Sequence, residues 1–313
     1  MSSSEPVEEE KVIVKQDFSY GDHELQKLSV YHHFGTESKQ ENGLWIIYIH
    51  GGAWRDPTVT DTSFLPTIRH LYSPSNPSSF LNLITSHITA FASLSYRLSP
   101  HPSHPQSPTT PATSLRSATH PDHLLDILTG IFFLQSKYSF GSKYLLIGHS
   151  CGATLAYQSL IRDQLLESIL SSIKFQPPEI VVGVAGIYDM RLLRDNNSHP
   201  AYQEFLVSAF GEDEKEWDRA SPADGRYDFL RGWKEGRMAV LVSSSGDELV
   251  DEAQIECMGE KLEGLRGSGS GDGVKVRILK GFLAQTHNGI WEGGEGLADV
   301  IIEVLRVWVG GDK

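Results

Sequence analysis

Six short runs of apolar, largely β-branched residues recur along this chain. They are "LWIIYIH" at 44–50, "ITAFASLSY" at 88–96, "KYLLIG" at 143–148, "IVVGVAG" at 180–186, "MAVLVSS" at 238–244 and "VKVRIL" at 274–279. Between them lie segments with apolar residues at helical spacing, over 121–138, 152–170, 251–265 and 296–309. A strand that is apolar on both faces has to be covered on both, and the intervening helices are the means of covering it. The pattern predicts an α/β fold, a mostly parallel sheet with helices on both faces. Ahead of it, 11–20 and 25–33 read as two further strands, an edge hairpin turning around Gly21 and Asp22, for about eight strands in all.

The 313 residues suffice for a sizeable core. Residues 1–10, "MSSSEPVEEE", read as a disordered acidic tail, and 11–313 as one domain. Two stretches break the rhythm without the apolar content to start a second core. One is a Pro/Ser/Thr/His-rich insertion at 99–121, and the other is the glycine-rich turn at 264–273. A formal net charge of −13 argues against nucleic acid or an anionic membrane surface as partner. Two cysteines, Cys151 and Cys257, give no disulfide framework and fit a reducing compartment. The polar, acidic N-terminus is unlike a secretory or mitochondrial signal, and no apolar run approaches the roughly 18 residues of a membrane span. The expected location is the cytoplasm.

The chemistry is concentrated at a few strand ends. Gly148-His149-Ser150-Cys151-Gly152 fits G-x-S-x-G between a strand and a helix, where a serine on a tight turn needs glycines at both flanks. A capped helix N-terminus is the plain alternative. The run "WIIYIHGGAW" ends a strand in two glycines. Bare glycine backbone suits a loop whose N–H groups face a developing oxyanion, so Gly51 and Gly52 are candidate donors with Cys151 N–H, and Ala53 is a further candidate. Asp247 follows the fifth of the six runs and His287 the loop after the sixth, in the chain order serine, acid, histidine. Glu248 is the rival acid, one residue further from the strand end. His50 is expected to anchor the glycine loop and His149 to pack. His101, His104, His120 and His123 lack the spacing of a metal site, so neither a metal nor a cofactor is expected. The Cys151 thiol, at the position after the serine, is expected to turn into the helix.

With these residues in view, the chain resembles the α/β-hydrolase superfamily, the branch of lipases and esterases with an HGG loop, and more narrowly the fungal kynurenine formamidases. The resemblance rests on "YIHGGAWRDP", "SLSYRLSP", "LLIGHSCGAT", "GIYDMRLL", "SSSGDELV" and "THNGIW" in this order, over residues 45 to 292. It implies Ser150 as nucleophile, Asp247 as orienting acid and His287 as general base. It further implies Gly51, Gly52 and Cys151 as the oxyanion hole, with His50 and Trp54 supporting the loop. The implied reaction is hydrolysis of N-formyl-L-kynurenine to L-kynurenine and formate, a step of tryptophan catabolism toward NAD. The partner is then a small molecule, with a homodimer implied by the family alone. An aryl amine needs apolar walls, for which Trp54, Tyr188 and Phe205 are candidates, each of which could equally be core, Phe205 above all. The chain departs from the family in the length of the 99–121 insertion, and the cap-like segment at about 196–222 has no residue that can be matched. A general short-chain carboxylesterase shares the same machinery and is the alternative. A non-catalytic binding protein of this fold is disfavoured by the complete set Ser150, Asp247 and His287.

Overall fold

The structure, a computed structural model, describes residues 13–33, 43–161, 173, 175–271 and 273–310. The expected tail at 1–10 and the later part of the helix expected over 152–170 fall outside the described residues. Eight strands form one sheet: β1 (Ile13–Ser19), β2 (Lys27–His33), β3 (Leu44–Ile49), β4 (Ile88–Leu94), β5 (Tyr144–His149), β6 (Ile180–Val184), β7 (Met238–Ser244) and β8 (Lys275–Leu283). Their order is β1-β2-β4-β3-β5-β6-β7-β8. The two N-terminal strands pair antiparallel with each other and β2 pairs antiparallel with β4, while every pair from β4 to β8 is parallel. All six apolar runs became strands of the parallel part, and the N-terminal pair became the edge hairpin.

The two-faced burial follows from the strand pleat, which sends neighbouring side chains to opposite sides. Trp45, Ile47 and Ile49 of β3 join Tyr144 and Leu146 of β5 in a core on one face. Ile46 and Tyr48 join Leu145 and Ile147 in a core on the other. The first core is closed by helices α3 (Asp122–Tyr138), α4 (Cys151–Gln158) and α8 (Glu252–Gly267). The second is closed by α1 (Leu65–Leu71), α2 (Ser78–His87) and α10 (Glu295–Gly310). Every side chain of β3 and β5 is buried, and each large one contributes roughly 1.5–3 kcal/mol relative to exposure. Helices α1 and α2 had no counterpart in the sequence reading.

Two short helices lie within 196–222, α6 (Ala201–Phe210) and α7 (Glu214–Ala220), preceded by α5 (Met190–Asn196), and a one-turn α9 (Gly289–Glu292) follows further on. The insertion at 99–121 contains no helix or strand. It is held by its own polar groups. Gln106 donates to Arg116 O and accepts from Arg116 N, Arg116 Nη2 donates to His104 O, and Ser99 Oγ donates to Ala118 O.

Candidate active site

In a parallel sheet of this kind, loops leaving the carboxyl ends of neighbouring strands meet at one edge, and this is where ligands bind. Four such loops matter here, those after β3, β5, β7 and β8. The loop after β5 carries Ser150 at φ 57°, ψ −127°, a conformation that a residue with a Cβ adopts at a cost of about 1–3 kcal/mol. The flanking glycines explain how the turn can be so tight. A Cβ on Gly148 would sit 2.1 Å from Gly152 O, and one on Gly152 would sit 2.3 Å from Ile49 O. Ser150 N–H donates to Val184 O of the neighbouring strand at 2.9 Å, which fixes the turn to the sheet. Cys151 opens α4, so its N–H belongs to the first turn, where intrahelical partners are lacking.

The glycine loop after β3 lies directly against this turn. A Cβ on Gly51 would meet Ser150 Cβ at 3.0 Å, so only bare backbone fits between them. Gly52, Ala53 and Trp54 then run at positive φ (95°, 47° and 58°). His50 Nδ1 donates to Gly51 O at 2.8 Å, and its ring stacks on Tyr96 at 4.5 Å. The Tyr96 hydroxyl donates to His50 O, with Gly51 O at 3.3 Å. Burial brings the His50 pKa down to about 4, so the imidazole is neutral and the Nδ1–H tautomer is the one that satisfies the carbonyl.

The loops after β7 and β8 bring Asp247 to His287. His287 Nδ1 lies 3.0 and 2.9 Å from the two Asp247 oxygens, and both side chains are almost fully buried. Asp247 Oδ1 also accepts from Leu249 N and Val250 N, both at 2.9 Å, which orients the carboxylate. The rival acid has another place. Glu248 Oε2 accepts from His287 N at 3.0 Å, so it holds the histidine's backbone while Asp247 holds its ring. A carboxylate on Nδ1 leaves Nε2 for the cavity, the tautomer a general base requires. Ser150 and His287 line the same cavity.

No protein-family model matches the chain. It is 42% identical over 266 residues to the kynurenine formamidase-like hydrolase fscH of Fusarium equiseti, covering 83% of this chain and 82% of that one. It is 34% identical over 271 residues to the kynurenine formamidase avaC of Aspergillus versicolor, covering 81% and 86%. With the kynurenine formamidase of Meyerozyma guilliermondii the figures are 31% over 244 residues, covering 78% and 79%. The chain belongs to the kynurenine formamidase family. It is a hydrolase of the α/β-hydrolase fold. Esterase B from Lactobacillus rhamnosis superposes with a TM-score of 0.67 at 15% identity, covering 96% of this chain and 86% of that one. Carboxyl esterase 2 of Tuber melanosporum gives 0.59 at 16%, covering 97% and 89%. At such identities the likeness concerns the fold alone.

In this family member the cavity over Ser150 measures about 770 Å³. Its wall includes Gly52 and Ala53 of the glycine loop, His149, the segment Asn196–His199, Tyr202 and Phe205, and Trp291 beyond the histidine. Of the three aromatic candidates, Phe205 lines the cavity. Trp54 and Tyr188 do not, and that corrects the expectation for both. Trp54 is wholly buried under the loop, its backbone N–H donating to Cys151 Sγ at 3.3 Å and its ring packing edge-on against Phe210. Left-handed φ at residue 54 turns the indole beneath the backbone instead of over it, so Trp54 supports the loop. Tyr188 fills space left by two glycines, since a Cβ on Gly183 would come within 2.1 Å of its hydroxyl oxygen. It packs against Tyr157 in the core.

The neighbours of Ser150 behave as their positions suggest. The Cys151 thiol is buried beneath the loop, and burial pushes its pKa up to about 11, far from the thiolate that nucleophilic attack requires. His149 is buried with its ring 4.6 Å from that of His287. Burial, and then the charge of His287, hold its pKa well below that of a free imidazole. Arg55, which lines the cavity, was not assigned by the sequence reading, and Glu248, considered there as the rival acid, instead holds the His287 backbone. Arg55 follows Trp54 in the glycine loop, and that position was the available signal.

Proposed function

We propose that this chain hydrolyses N-formyl-L-kynurenine to L-kynurenine and formate through Ser150, His287 and Asp247. The observation that carries the reading is the buried Asp247–His287 pair beside a serine held at φ 57° in one cavity. The names of the relatives supply the substrate. His287 Nε2 takes the Ser150 proton as Oγ attacks the formyl carbon. The oxyanion that forms is met by backbone N–H groups of Gly51, Gly52 and Cys151. His287 then returns the proton to the aryl nitrogen, and kynurenine leaves with a formyl group on Ser150. Water, activated by the same imidazole, releases formate. Asp247 stabilises the imidazolium throughout.

A formyl group asks for almost no acyl space, so a cavity of about 770 Å³ is available to the aryl amine and its amino-acid tail. We take 11–313 as one hydrolase domain, with 196–222 as the cap over the site. The setting proposed for the reaction, from the cysteine usage and the acidic N-terminus, is the cytoplasm, with a small molecule as partner. Among the described residues no helix is long and apolar enough to cross a membrane.

The test is a side-by-side assay of N-formyl-L-kynurenine, formanilide and p-nitrophenyl butyrate. The expected result is a far higher kcat/KM on formylkynurenine than on the ester, with kcat as well as affinity lost on formanilide, because remote binding energy is used at the reacting carbon. Good butyrate turnover with formylkynurenine near background would replace this reading by a general esterase.

A further inference from the structure

The charged lining of the cavity is lopsided. Among the described residues it holds three carboxylates, Asp56, Glu248 and Glu292, and Arg55 is its one lysine or arginine. Arg55 is 6% exposed, which is costly for a permanent cation without full compensation. Its Nη1 donates to Glu204 Oε1 at 2.5 Å, and its guanidinium carbon stands 5.9 Å from the Phe205 ring centroid. Glu204 has a side chain 52% exposed, so water screens much of what it offers to the buried guanidinium. A guanidinium has five N–H donors in a rigid fork, and Glu204 is the one side-chain acceptor for them among the described residues. A buried fork with donors to spare, on a cavity wall, matches a planar two-oxygen anion.

The place of Arg55 in the chain sharpens the match. Its backbone N–H donates to Gly52 O at 3.0 Å, so it lies one turn beyond the glycines that border Ser150. One loop therefore carries both the backbone facing the reacting carbonyl and the cation facing the rest of the cavity. The three carboxylates would repel a simple anion and tolerate a zwitterion. We propose that Arg55 binds the carboxylate of a zwitterionic α-amino-acid substrate and thereby sets the specificity of the site, an inference that rests on the formamidase reading above.

The experiment compares N-formyl-L-kynurenine with N-formylkynuramine, the same molecule without its carboxylate, in wild type, Arg55→Met, Arg55→Lys and Glu204→Gln. Losing charged hydrogen bonds to a carboxylate should lower kcat/KM on formylkynurenine about 30-fold in Arg55→Met. On the kynuramine the change should stay below about threefold. Arg55→Lys keeps the charge without the fork and should fall between, and Glu204→Gln should keep the wild-type preference. Equal losses on both substrates in Arg55→Met, or the same losses in Glu204→Gln, would mean that the arginine only holds the loop. If Arg55→Met does not fold, Arg55→Lys and the wild-type preference decide, and a preference below about threefold overturns the proposal. A second readout needs no amide turnover. L-kynurenine and kynuramine are tested as inhibitors of p-nitrophenyl butyrate hydrolysis, and only the kynurenine inhibition constant should rise when Arg55 is changed. A wild type that cleaves the butyrate but neither formamide removes the formamidase reading, while this inhibition arm still tells whether Arg55 holds a carboxylate.

Discussion

Gly51, Ser150, Asp247 and His287 each follow a strand in the parallel part of one sheet, buried strands for the first three and the edge strand β8 for His287, whereas Asn196, Tyr202 and Phe205 stand on two short helices laid over them. The first set is tied by the sheet ladder and by buried bonds such as Ser150 N–H to Val184 O and Ala185 N–H to Val242 O. The second is anchored from below by buried apolar residues, Leu193, Leu206, Ala209 and Trp217 among them, and its outer side is tied by partly exposed polar contacts. Arg191 pairs with Asp218 at 2.6 Å, Tyr202 Oη donates to Leu249 O at 2.7 Å and Ser208 Oγ donates to Pro100 O at 2.8 Å. Exposed ion pairs contribute about 0–1 kcal/mol each. The floor is built from the sheet itself, whereas the roof sits on the core through its buried side and presents only its cavity-facing residues, such as Asn196, Tyr202 and Phe205, to a ligand. Chemistry common to all substrates belongs in the floor, and selection among substrates belongs in the roof.

The largest effect should come from removing the proposed nucleophile. Ser150→Ala should lower kcat on every substrate alike, by about 10⁶-fold if this serine acts as triad serines do. It should also abolish labelling by an organophosphate, while Cys151→Ala keeps it. Labelling that follows Cys151 would break the assignment of the floor. Asp247→Asn should cost about 10⁴-fold by favouring the wrong imidazole tautomer. Glu248→Gln keeps an acceptor for His287 N–H and should cost less than tenfold. Similar, small losses in both variants would mean that the acid is misplaced.

The floor should also resist intrusion. Gly152→Ala puts a Cβ 2.3 Å from one carbonyl oxygen and 2.7 Å from another, and should destabilise the protein by about 3 kcal/mol. The urea midpoint reads this, and an unchanged midpoint would show that the elbow can yield. Acid should act on the same region. The folded pKa of His50, about 4, lies below the unfolded value of about 6.5, so the unfolded chain takes up the proton first. The stability from keeping His50 neutral is complete above pH 6.5 and drains away as pH falls toward 4, by about 2 kcal/mol at pH 5. His149 and His123 are lowered by burial too and add to the same slope. Equal urea midpoints at pH 7 and pH 5 would contradict this. The smallest effect belongs to the roof. Phe205→Leu should shift the ratio of formylkynurenine to butyrate kcat/KM by less than about tenfold and leave butyrate kcat unchanged. A uniform loss of kcat would place Phe205 with the floor.

The same division marks what could be read in the sequence. Strand-ending motifs carry a local physical signature, because only glycine fits at 148 and 152 and only a short acid at a strand end reaches an imidazole. Hence Ser150, Asp247 and His287 stood out as candidates from motif, strand-end position and chain order together with the family resemblance, and Asp247 and His287 lie hydrogen-bonded beside the cavity that Ser150 lines. The roof has no such signature. Its helices are 7 to 10 residues long, and apolar residues that line the cavity, such as Tyr202 and Phe205, alternate with core residues such as Leu206, Ala209 and Trp217. The direction of an aromatic side chain was equally hidden. Trp54 and Tyr188 sit beside glycines in the sequence, yet the positive φ at one and the volume vacated by glycines at the other turn both inward. The short helices α1 and α2 escaped notice because polar residues dilute their periodicity.

The two ties on His287 also bear on inheritance. Asp247 and Glu248 are consecutive codons, and between them they hold both the ring and the backbone of a histidine about forty residues later. A recombination event joining two relatives anywhere between residues 249 and 286 would take the acids from one parent and the histidine loop from the other. Such a chimera stays active only where both parents set that loop at the same height above the sheet. The segment from 247 to 287 is therefore expected to pass between relatives as one block.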